Sequence, residues 1–451
     1  MQETRILAQF VSETSFFDLP DTLVEECRIA VLDTFAAAFI GTAQPWAQHA
    51  VALARELGGR PEATVIHQDW RIDVARAAFA NGVLIGAFEC EPLTGSHACG
   101  TVLPAALALA EREPCDGRMF ITALALGFEI SARIARTAVG LEAVRGFHNP
   151  GTQGPFGAAA AAAKMLHFDT DMLSRALGLA GSCSAGLLEF AWSGADTKRL
   201  HLGRASQLGL ESALLAQKGM RGPETVLEGR YGYFNAFSEP TDLAPLVDGL
   251  GTQWAIQPSS HKSYATHVTH QAVVQAIQDW KRVHGIGPEA VRRVVIEGVP
   301  RIMEPRHAVR DPDNVMGGQY SLPFTAAVAL TRDMAKPLVY DQAAVDDPIV
   351  RALAQRLELV PDASLHAGHG VFPATVTIET ADRTFLLPTE PHKGSPSNPM
   401  TWTDACEKFR RYTQLFIREA QANAIIDAVA VLHQGDQAHV KQVARLTAKA
   451  P

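Results

Sequence analysis

The stretch Asp21-Thr22-Leu23-Val24-Glu25-Glu26-Cys27-Arg28-Ile29-Ala30-Val31-Leu32-Asp33-Thr34-Phe35-Ala36-Ala37-Ala38-Phe39-Ile40-Gly41 indicates how the first half of the chain folds. Its apolar side chains recur at steps of three and four residues, the period of an α-helix: Val24, Cys27, Val31 and Phe35. Asp21 is placed to cap this helix and Gly41 to end it. We therefore predict a long, largely buried helix here.

The same pattern continues to about residue 245, where alternation of β-branched residues is almost absent. Six consecutive alanines, Ala158 to Ala163, favour close packing of one of these helices against its neighbours. The sequence predicts Ala-rich helices at Val74–Ala87, Val102–Glu111, Phe120–Ala138, Phe156–Leu166 and Asp171–Ala180.

The character of the sequence changes after Pro258. Two segments, Arg293–Val299 and Ala374–Thr380, alternate or run apolar in the manner of strands. Helical patterns lie between them at Leu322–Arg332 and Pro348–Leu357. Residues 259–390 are therefore predicted to form a smaller α/β domain, followed by a Gly/Ser/Pro-rich linker and by C-terminal helices that rejoin the first domain.

Composition excludes several classes of protein. The 451 residues are enough for two or three domains, and 47% hydrophobic with 20% charged residues is typical of a globular protein. The net charge of −8 and the lack of a basic run argue against nucleic-acid binding. There is no signal-peptide pattern and no apolar run of membrane-spanning length. The six cysteines are scattered without metal or redox spacing, which favours a reducing cytoplasm.

Two loops in the helical half carry groups suited to binding. The segment from Glu89 to Gly100 places two carboxylates, two hydroxyls and an imidazole between Ala-rich helices, although it could also be a polar connection with a capping Thr or Ser. The segment from Arg145 to Gly154 precedes the alanine helix, whose free N–H groups could hold a carboxylate. His148, taken alone, is as well explained as a structural loop histidine.

Two further clusters are cationic. The segment from Asp196 to Arg204 is the densest positive spot in the helical half, and Lys198 and His201 can share one helical face, although a solvated surface is the alternative. In the segment from Ser259 to His270, His267 and His270 look like half a metal site. We discount a metal because no acidic ligand is near and no HExxH pattern exists. A carboxylate-binding cleft at the domain junction is preferred.

Taken together and in this order, the four clusters resemble the MmgE/PrpD family, which includes 2-methylcitrate dehydratase, cis-aconitate decarboxylase and iminodisuccinate epimerase. The resemblance covers nearly the whole chain. It also includes the segments Leu32–Ala37, Leu103–Glu111, Gly146–His148, Thr197–Gly203 and Gln319–Phe324.

The resemblance implies a mainly α fold: a large all-helical domain, formed by residues 1–258 and completed by residues 391–451, plus an α/β lid domain at 259–390. It further implies a homodimer with the active site between the domains and a small polycarboxylate as substrate. No metal, cofactor, nucleic acid or membrane is expected. Carried over by motif, the catalytic residues are His97, His148, Lys198, Lys262 and His267, and the substrate-binding residues are Glu89, Glu91, Thr94, His201, Tyr264 and Tyr320.

All family reactions must stabilise negative charge beside a carboxylate while a proton moves. Lysines are suited to hold substrate carboxylates, or to act as bases when their pKa is depressed, and imidazoles are suited to move the proton. We rank dehydration first, epimerisation second, cis-aconitate decarboxylation third and non-catalytic carboxylate binding last. A nucleotide-dependent enzyme finds no support, because Gly151–Gly157 lacks the preceding strand of a dinucleotide site.

Two departures from the family pattern bear on this ranking. Family members commonly carry Asp-Asp-Thr followed by His-Pro, whereas this chain has Glu89-Cys90-Glu91 and His97-Ala98, so a different substrate is expected. Decarboxylases carry a functional tyrosine near the segment Tyr320–Phe324, and the sequence leaves open which of these two residues takes its place.

Overall fold

The structure is a computed structural model that describes residues 2–141, 144–239, 241–257, 259–368 and 370–449. The predicted boundary residue Pro258 lies outside the described residues. The predicted first long helix runs from Asp21 to Gly41, so Asp21 is its first residue and not its cap, which is Pro20. Sixteen of its residues are buried, which explains its apolar character on nearly every face.

Up to residue 257 the described chain is helical apart from one short hairpin and the connecting turns. The hairpin pairs β1 (Ala63–Thr64) with β2 (Arg71–Ile72) in antiparallel orientation. The helices are α1 Glu3–Glu13, α2 Asp21–Gly41, α3 Pro45–Leu57, α4 Val74–Ile85, α5 Ala98–Arg112, α6 Gly117–Thr137, α7 Asn149–Met165, α8 Thr170–Ser182, α9 Phe190–Ser193, α10 Thr197–Gln217, α11 Tyr233–Phe237 and α12 Ala244–Val247.

Helix α7 lies at the centre of this helical part. It packs against α5, α6, α8 and α10, and all six of its consecutive alanines are fully buried. Gly157 shows how close the packing is, because a Cβ there would lie 2.0 Å from Ser131 Oγ and 2.6 Å from the Gly127 carbonyl oxygen. The Gly-rich segment Gly151–Gly157 belongs to α7 itself. Small residues therefore let α7 approach α6 at backbone distance.

The later part of the chain carries a four-stranded sheet. Its elements are α13 Gln271–His284, β3 Arg293–Gly298, α14 Val315–Tyr320, α15 Leu322–Thr331, α16 Gln342–Asp346, α17 Pro348–Arg356, β4 Leu357–Pro361, β5 Ala374–Glu379, β6 Thr384–Pro388, α18 Trp402–Thr413, α19 Glu419–Ala430 and α20 Gln437–Leu446. The strand order is β4-β3-β5-β6, with β3 parallel to β4 and all other pairs antiparallel. The fold is thus mainly α with a small sheet-containing part, as predicted.

The C-terminal helices return to the N-terminal ones. Helix α18 packs along α2, and α20 packs on α5 and α6. The division of the chain at residues 258 and 390 stays a prediction. None of the described helices combines the length and the apolar character needed to cross a membrane.

Candidate active site

Three helices of the helical part begin close to one another. His97 precedes α5, His148 precedes α7, and Lys198 is the second residue of α10. The ring centroids of His97 and His148 are 6.0 Å apart, and His148 Nδ1 lies 2.9 Å from Nδ1 of His201 on α10. Because a helix N-terminus carries free N–H groups and a partial positive charge, this arrangement attracts anions.

Beside these helix ends lies a buried cluster of four charged side chains. Glu89, Glu91, Lys198 and Lys262 are each at most 1% exposed. Lys262 Nζ lies 3.0 Å from Glu89 Oε2 and 3.6 Å from Glu91 Oε2, and Lys198 forms an ion pair with the other oxygen of Glu89. Two ammonium groups thus face two carboxylates. Removing any one member would leave the buried cluster with an excess charge, which is destabilising.

The backbone at Glu89 is left-handed, with φ 56° and ψ 31°. A non-glycine residue in this region costs roughly 1–2 kcal/mol, and it persists only where the surroundings fix it. The turn Gly86–Phe88 leads into Glu89, and Gln319 Nε2 donates a hydrogen bond of 3.0 Å to the Phe88 carbonyl oxygen. The strain is therefore located at the residue that lies between the two lysines.

The proton affinity of Lys198 is unusual for a lysine. Burial, followed by the like charges of Lys262, Arg199 and Arg306, places its pKa well below the ordinary value of 10.5. Its position in the first turn of α10 acts in the same direction, since the helix dipole disfavours a cation there. Lys198 therefore releases its proton more readily than an ordinary lysine does.

His97 and Glu91 form a dyad at the edge of the charged cluster. His97 Nδ1 lies 2.7 Å from Glu91 Oε1, and the His97 side chain is 20% exposed whereas Glu91 is fully buried. Burial raises the pKa of Glu91, but Lys262 and His97 outweigh it and bring the pKa to about 2. An ionised Glu91 accepts the Nδ1–H of His97, which leaves Nε2 to take or give a proton on the cleft side.

A second pair of imidazoles, His148 and His201, stands next to His97. Burial, then His97 and His201, lowers the pKa of His148 well below 6.5, and burial with Lys198 lowers that of His201 to about 4. Both rings are therefore neutral at pH 7, and their Nδ1 contact consists of one N–H and one lone pair. Phe190 packs edge-on against His148 at 4.8 Å between ring centroids.

Tyr320 and His267 lie next to Lys198. Their ring centroids are 4.8 Å apart, and Lys198 Nζ lies 5.2 Å from the centre of the Tyr320 ring. Phe324 is fully buried in the main hydrophobic core, where its ring lies against Gly318. Of the two residues that the sequence left open, Tyr320 is the one beside the cluster. The five predicted catalytic side chains thus lie in one connected group.

Two predicted substrate-binding residues lie apart from this group. Thr94 is fully buried, and its hydroxyl contacts Cys99 Sγ at 3.4 Å. The pKa of the Tyr264 phenol is raised to about 12, first by burial and then by Asp279. Within the described part of the chain, neither side chain makes a hydrogen bond or ring contact with the cluster. Their predicted role in binding stays a prediction.

Arg306 and His307 were missed by sequence reasoning. They lie on the short turn Pro305–His307 after β3. The charge of Arg306 lowers the pKa of His148, Lys198 and His267, so Arg306 lies near these three residues. His307 Nδ1 lies 2.9 Å from the Tyr320 carbonyl oxygen. Two adjacent basic residues, Arg306 and His307, indicate a functional site only weakly, because their distance along the sequence from His267 does not predict that they lie beside it.

The supporting network behind the cluster was also missed. Lys408 on α18 donates to the carbonyl oxygens of Lys262 at 2.6 Å and Cys90 at 3.0 Å, and pairs with Asp33 at 2.5 Å. His261 lies between Asp33 at 2.7 Å and Glu26 at 2.9 Å. Asp33 could have been found from the sequence, because it is the single charged residue in the apolar stretch Ile29–Gly41 of α2. No such pattern marks Lys408.

Comparison with known proteins agrees with this architecture. The model of the MmgE/PrpD N-terminal domain matches residues 5–246, and that of the MmgE/PrpD C-terminal domain matches residues 264–434. The chain is 24% identical to the cis-aconitate decarboxylase of Mus musculus over 91% of this chain and 86% of that protein. It is 26% identical to the cis-aconitate decarboxylase of Homo sapiens over 87% and 84% of the two chains.

A fungal relative shows the same likeness over a shorter length. A cis-aconitate decarboxylase of Aspergillus terreus is 27% identical over 66% of this chain and 64% of its own. The N-terminal family model alone covers more than half of the 451 residues. The chain therefore belongs to the MmgE/PrpD family.

Proposed function

We propose that this protein is a lyase that acts on a small di- or tricarboxylate by moving a proton at a carbon next to a carboxylate, without a metal or cofactor. The observation that carries the proposal is the Glu91–His97 dyad at the point where three helices begin. The names of the relatives support lyase chemistry.

Substrate binding is assigned to the positive side of the cleft. The N-termini of α5, α7 and α10 and the Arg306 side chain favour carboxylates. Glu89 and Glu91 already pair with lysines, so we assign them to holding the site together and not to contacting an anion. Lys198 extends toward the Tyr320 ring and is the lysine that we assign to a substrate carboxylate.

Proton transfer is assigned first to His97. Its Nδ1 is held by Glu91 and its ring is partly exposed, so Nε2 can exchange a proton with a substrate carbon. A positioned acid or base is typically worth ~10²–10⁴-fold in rate. The ring centroid of His148 lies 6.0 Å from that of His97, and the His148 ring is neutral, so His148 can serve as the second proton carrier.

Within this chemistry we place decarboxylation first. The three relatives described above carry that name, and Tyr320 lies beside Lys198 and His267. In this reaction one C–C bond breaks, carbon dioxide leaves, and a proton is added to the substrate carbon. Dehydration, which the sequence placed first, is the second candidate. The two imidazoles that face one another favour it, since one could remove a proton while the other protonates the leaving hydroxyl.

The proposal extends to assembly and location. The family resemblance leads us to propose a homodimer. The six cysteines are free in the structure, and we propose a reducing cytoplasm on that basis.

Proton NMR in D2O with a panel of acids tests the proposal. The panel contains cis-aconitate, citrate, 2-methylcitrate and both epimers of an aminated or hydroxylated succinate. Carbon dioxide release marks a decarboxylase, loss of water with a new alkene marks a dehydratase, and deuterium entry with inversion marks an epimerase. Absence of any change across the panel would contradict the proposal.

A further inference from the structure

Three histidines meet behind Tyr320, on the lid side of the cleft. His267 and His270 come from the turn before α13, and His307 comes from the turn after β3. Their ring centroids are 5.6 Å (His267–His270), 4.5 Å (His267–His307) and 5.2 Å (His270–His307) apart. One ring nitrogen from each lies within 4.8 Å of the other two.

Two of these rings have an unpaired nitrogen. His270 and His307 are fully buried, and Nε2 of each makes no hydrogen bond among the described residues. Leaving a buried polar atom unpaired costs about 1–3 kcal/mol, so a missing partner is the natural explanation.

The other nitrogen of each ring is already engaged. His307 Nδ1–H donates to the Tyr320 carbonyl oxygen at 2.9 Å, and His270 Nδ1 lies 3.4 Å from Thr266 Oγ1. A donor at Nδ1 leaves a lone pair at Nε2. Metal-binding histidines are oriented in this way, because a carbonyl or other acceptor fixes the tautomer of the ring.

His267 supplies the third ligand and the access. Its Nδ1 lies 2.8 Å from Thr269 Oγ1, and it is the only one of the three rings that is partly exposed. Nδ1 also accepts the Thr269 backbone N–H at 3.4 Å, so ligation through Nε2 requires the ring proton to move from Nε2 to Nδ1, where Thr269 Oγ1 can accept it. An ion and one solvent molecule or anion could then reach the group from the cleft.

The positive charges next to the three rings are offset in part by carboxylates. The nearby cations Lys198 and Arg306 are each paired with a carboxylate, Lys198 with Glu89 and Arg306 with Glu304 at 3.0 Å. Neutral imidazole is a favourable ligand for zinc, copper, nickel and iron.

We propose that His267, His270 and His307 bind one divalent transition-metal ion, such as Zn²⁺, with the fourth coordination position open to the cleft. Zinc–nitrogen bonds of about 2.0–2.1 Å would bring the three nitrogens to about 3.3 Å from one another, so the rings must rotate inward. The bound ion would occupy the His267 lone pair. Resting on the proposed function, which assigns Lys198 beside the same Tyr320 ring to a substrate carboxylate, an ion bound at His267 would compete for that carboxylate and act as an inhibitor, not as a cofactor.

Titration of the metal-free protein with Co²⁺ tests the site without any substrate. We expect one Co²⁺ per chain, with the intense visible absorption of a tetrahedral site, displaced by Zn²⁺. His270→Gln and His307→Gln should each weaken Co²⁺ binding by more than about 100-fold, since losing a group that merely orients a metal-binding histidine already costs about 10–100-fold. His392→Gln is the matched control, because His392 is also buried and has an unpaired Nε2 but lies outside the cluster; it should leave binding unchanged.

Absence of the tetrahedral absorption in the wild type, or equal weakening by the control and the cluster variants, would overturn the site. If a variant fails to fold, X-ray absorption on the wild-type protein loaded with Zn²⁺ decides by counting three imidazoles. Because binding is read without turnover, failure of the metal site is distinguishable from failure of the proposed lyase. An ion that binds as predicted but leaves lyase activity intact would refute the inhibitory role alone.

Discussion

Replacing Glu91 by glutamine removes one charge from the centre of the site while keeping the size of the side chain. Glu91 is fully buried, 2.7 Å from His97 Nδ1 and 3.6 Å from Lys262 Nζ. The variant would leave Lys262 with Glu89 alone, and it would no longer hold His97 in the tautomer needed for proton transfer. We expect losses of both stability and turnover.

The size of the stability loss follows from the pKa of Glu91. Its ordinary value is 4.5 and its value in the folded protein is about 2. At about 1.4 kcal/mol per pH unit, this difference corresponds to about 3 kcal/mol of stabilisation at pH 7. Since the folded-state pKa is lowered, the contribution is present above pH 4.5 and is lost as the pH falls toward 2. Roughly 2 kcal/mol of it should disappear between pH 5 and pH 3.

Urea denaturation of the wild type and Glu91→Gln at pH 7, 5 and 3 measures this difference. Glu113→Gln is the control, since it breaks a partly exposed pair with Arg112 that is expected to contribute at most about 1 kcal/mol. At saturating substrate, kcat of Glu91→Gln should fall by ~10²–10⁴-fold. Equal stability of the two proteins at pH 7, or a difference that does not shrink between pH 5 and pH 3, would refute the electrostatic reasoning.

Three further outcomes are expected. His261→Gln should lower the free energy of unfolding by about 3 kcal/mol below pH 6.5, because Glu26 and Asp33 overcome burial and raise the pKa of His261 to about 9. Denaturation at pH 6 and pH 10 measures this loss, which should disappear as the pH rises through 9. A loss that does not depend on pH would contradict the prediction. Steady-state kinetics should show that Lys198→Ala chiefly raises KM whereas His148→Ala chiefly lowers kcat, and the reverse pattern would exchange their roles. Removing metal with a chelator should leave activity intact or raise it, and a loss restored by one metal would count against the cofactor-free mechanism.

Local patterns predicted the elements well, but not all of their ends. The alanine helix was expected from Phe156 and begins at Asn149. Pro155 and the surrounding glycines are poor helix formers, so the sequence pattern did not predict the first two turns of this helix. Close packing against α5, α6 and α10 overrides that local preference, and Pro150 fits the first turn of a helix.

The site could be predicted where motifs lie in short segments, as for Glu89 to His97. It could not be predicted where the fold joins distant residues. Lys408 is separated by 318 residues from the carbonyl of Cys90 that it binds, and no local pattern records that contact. His307 meets His267 only because the turn after β3 returns to the cleft. The helix break at Ser321 separates Tyr320, at the site, from Phe324, in the core.

Transfer of solvent deuterium to the product tests the central claim most directly. Wild-type protein and His97→Gln are incubated with cis-aconitate in D2O, and the product is followed by proton NMR, with His392→Gln as the control variant. The account predicts carbon dioxide release with one deuterium placed on the product carbon, unchanged in His392→Gln and lowered by ~10²–10⁴-fold in His97→Gln. Turnover at the wild-type rate in His97→Gln, or a product without deuterium, would contradict it.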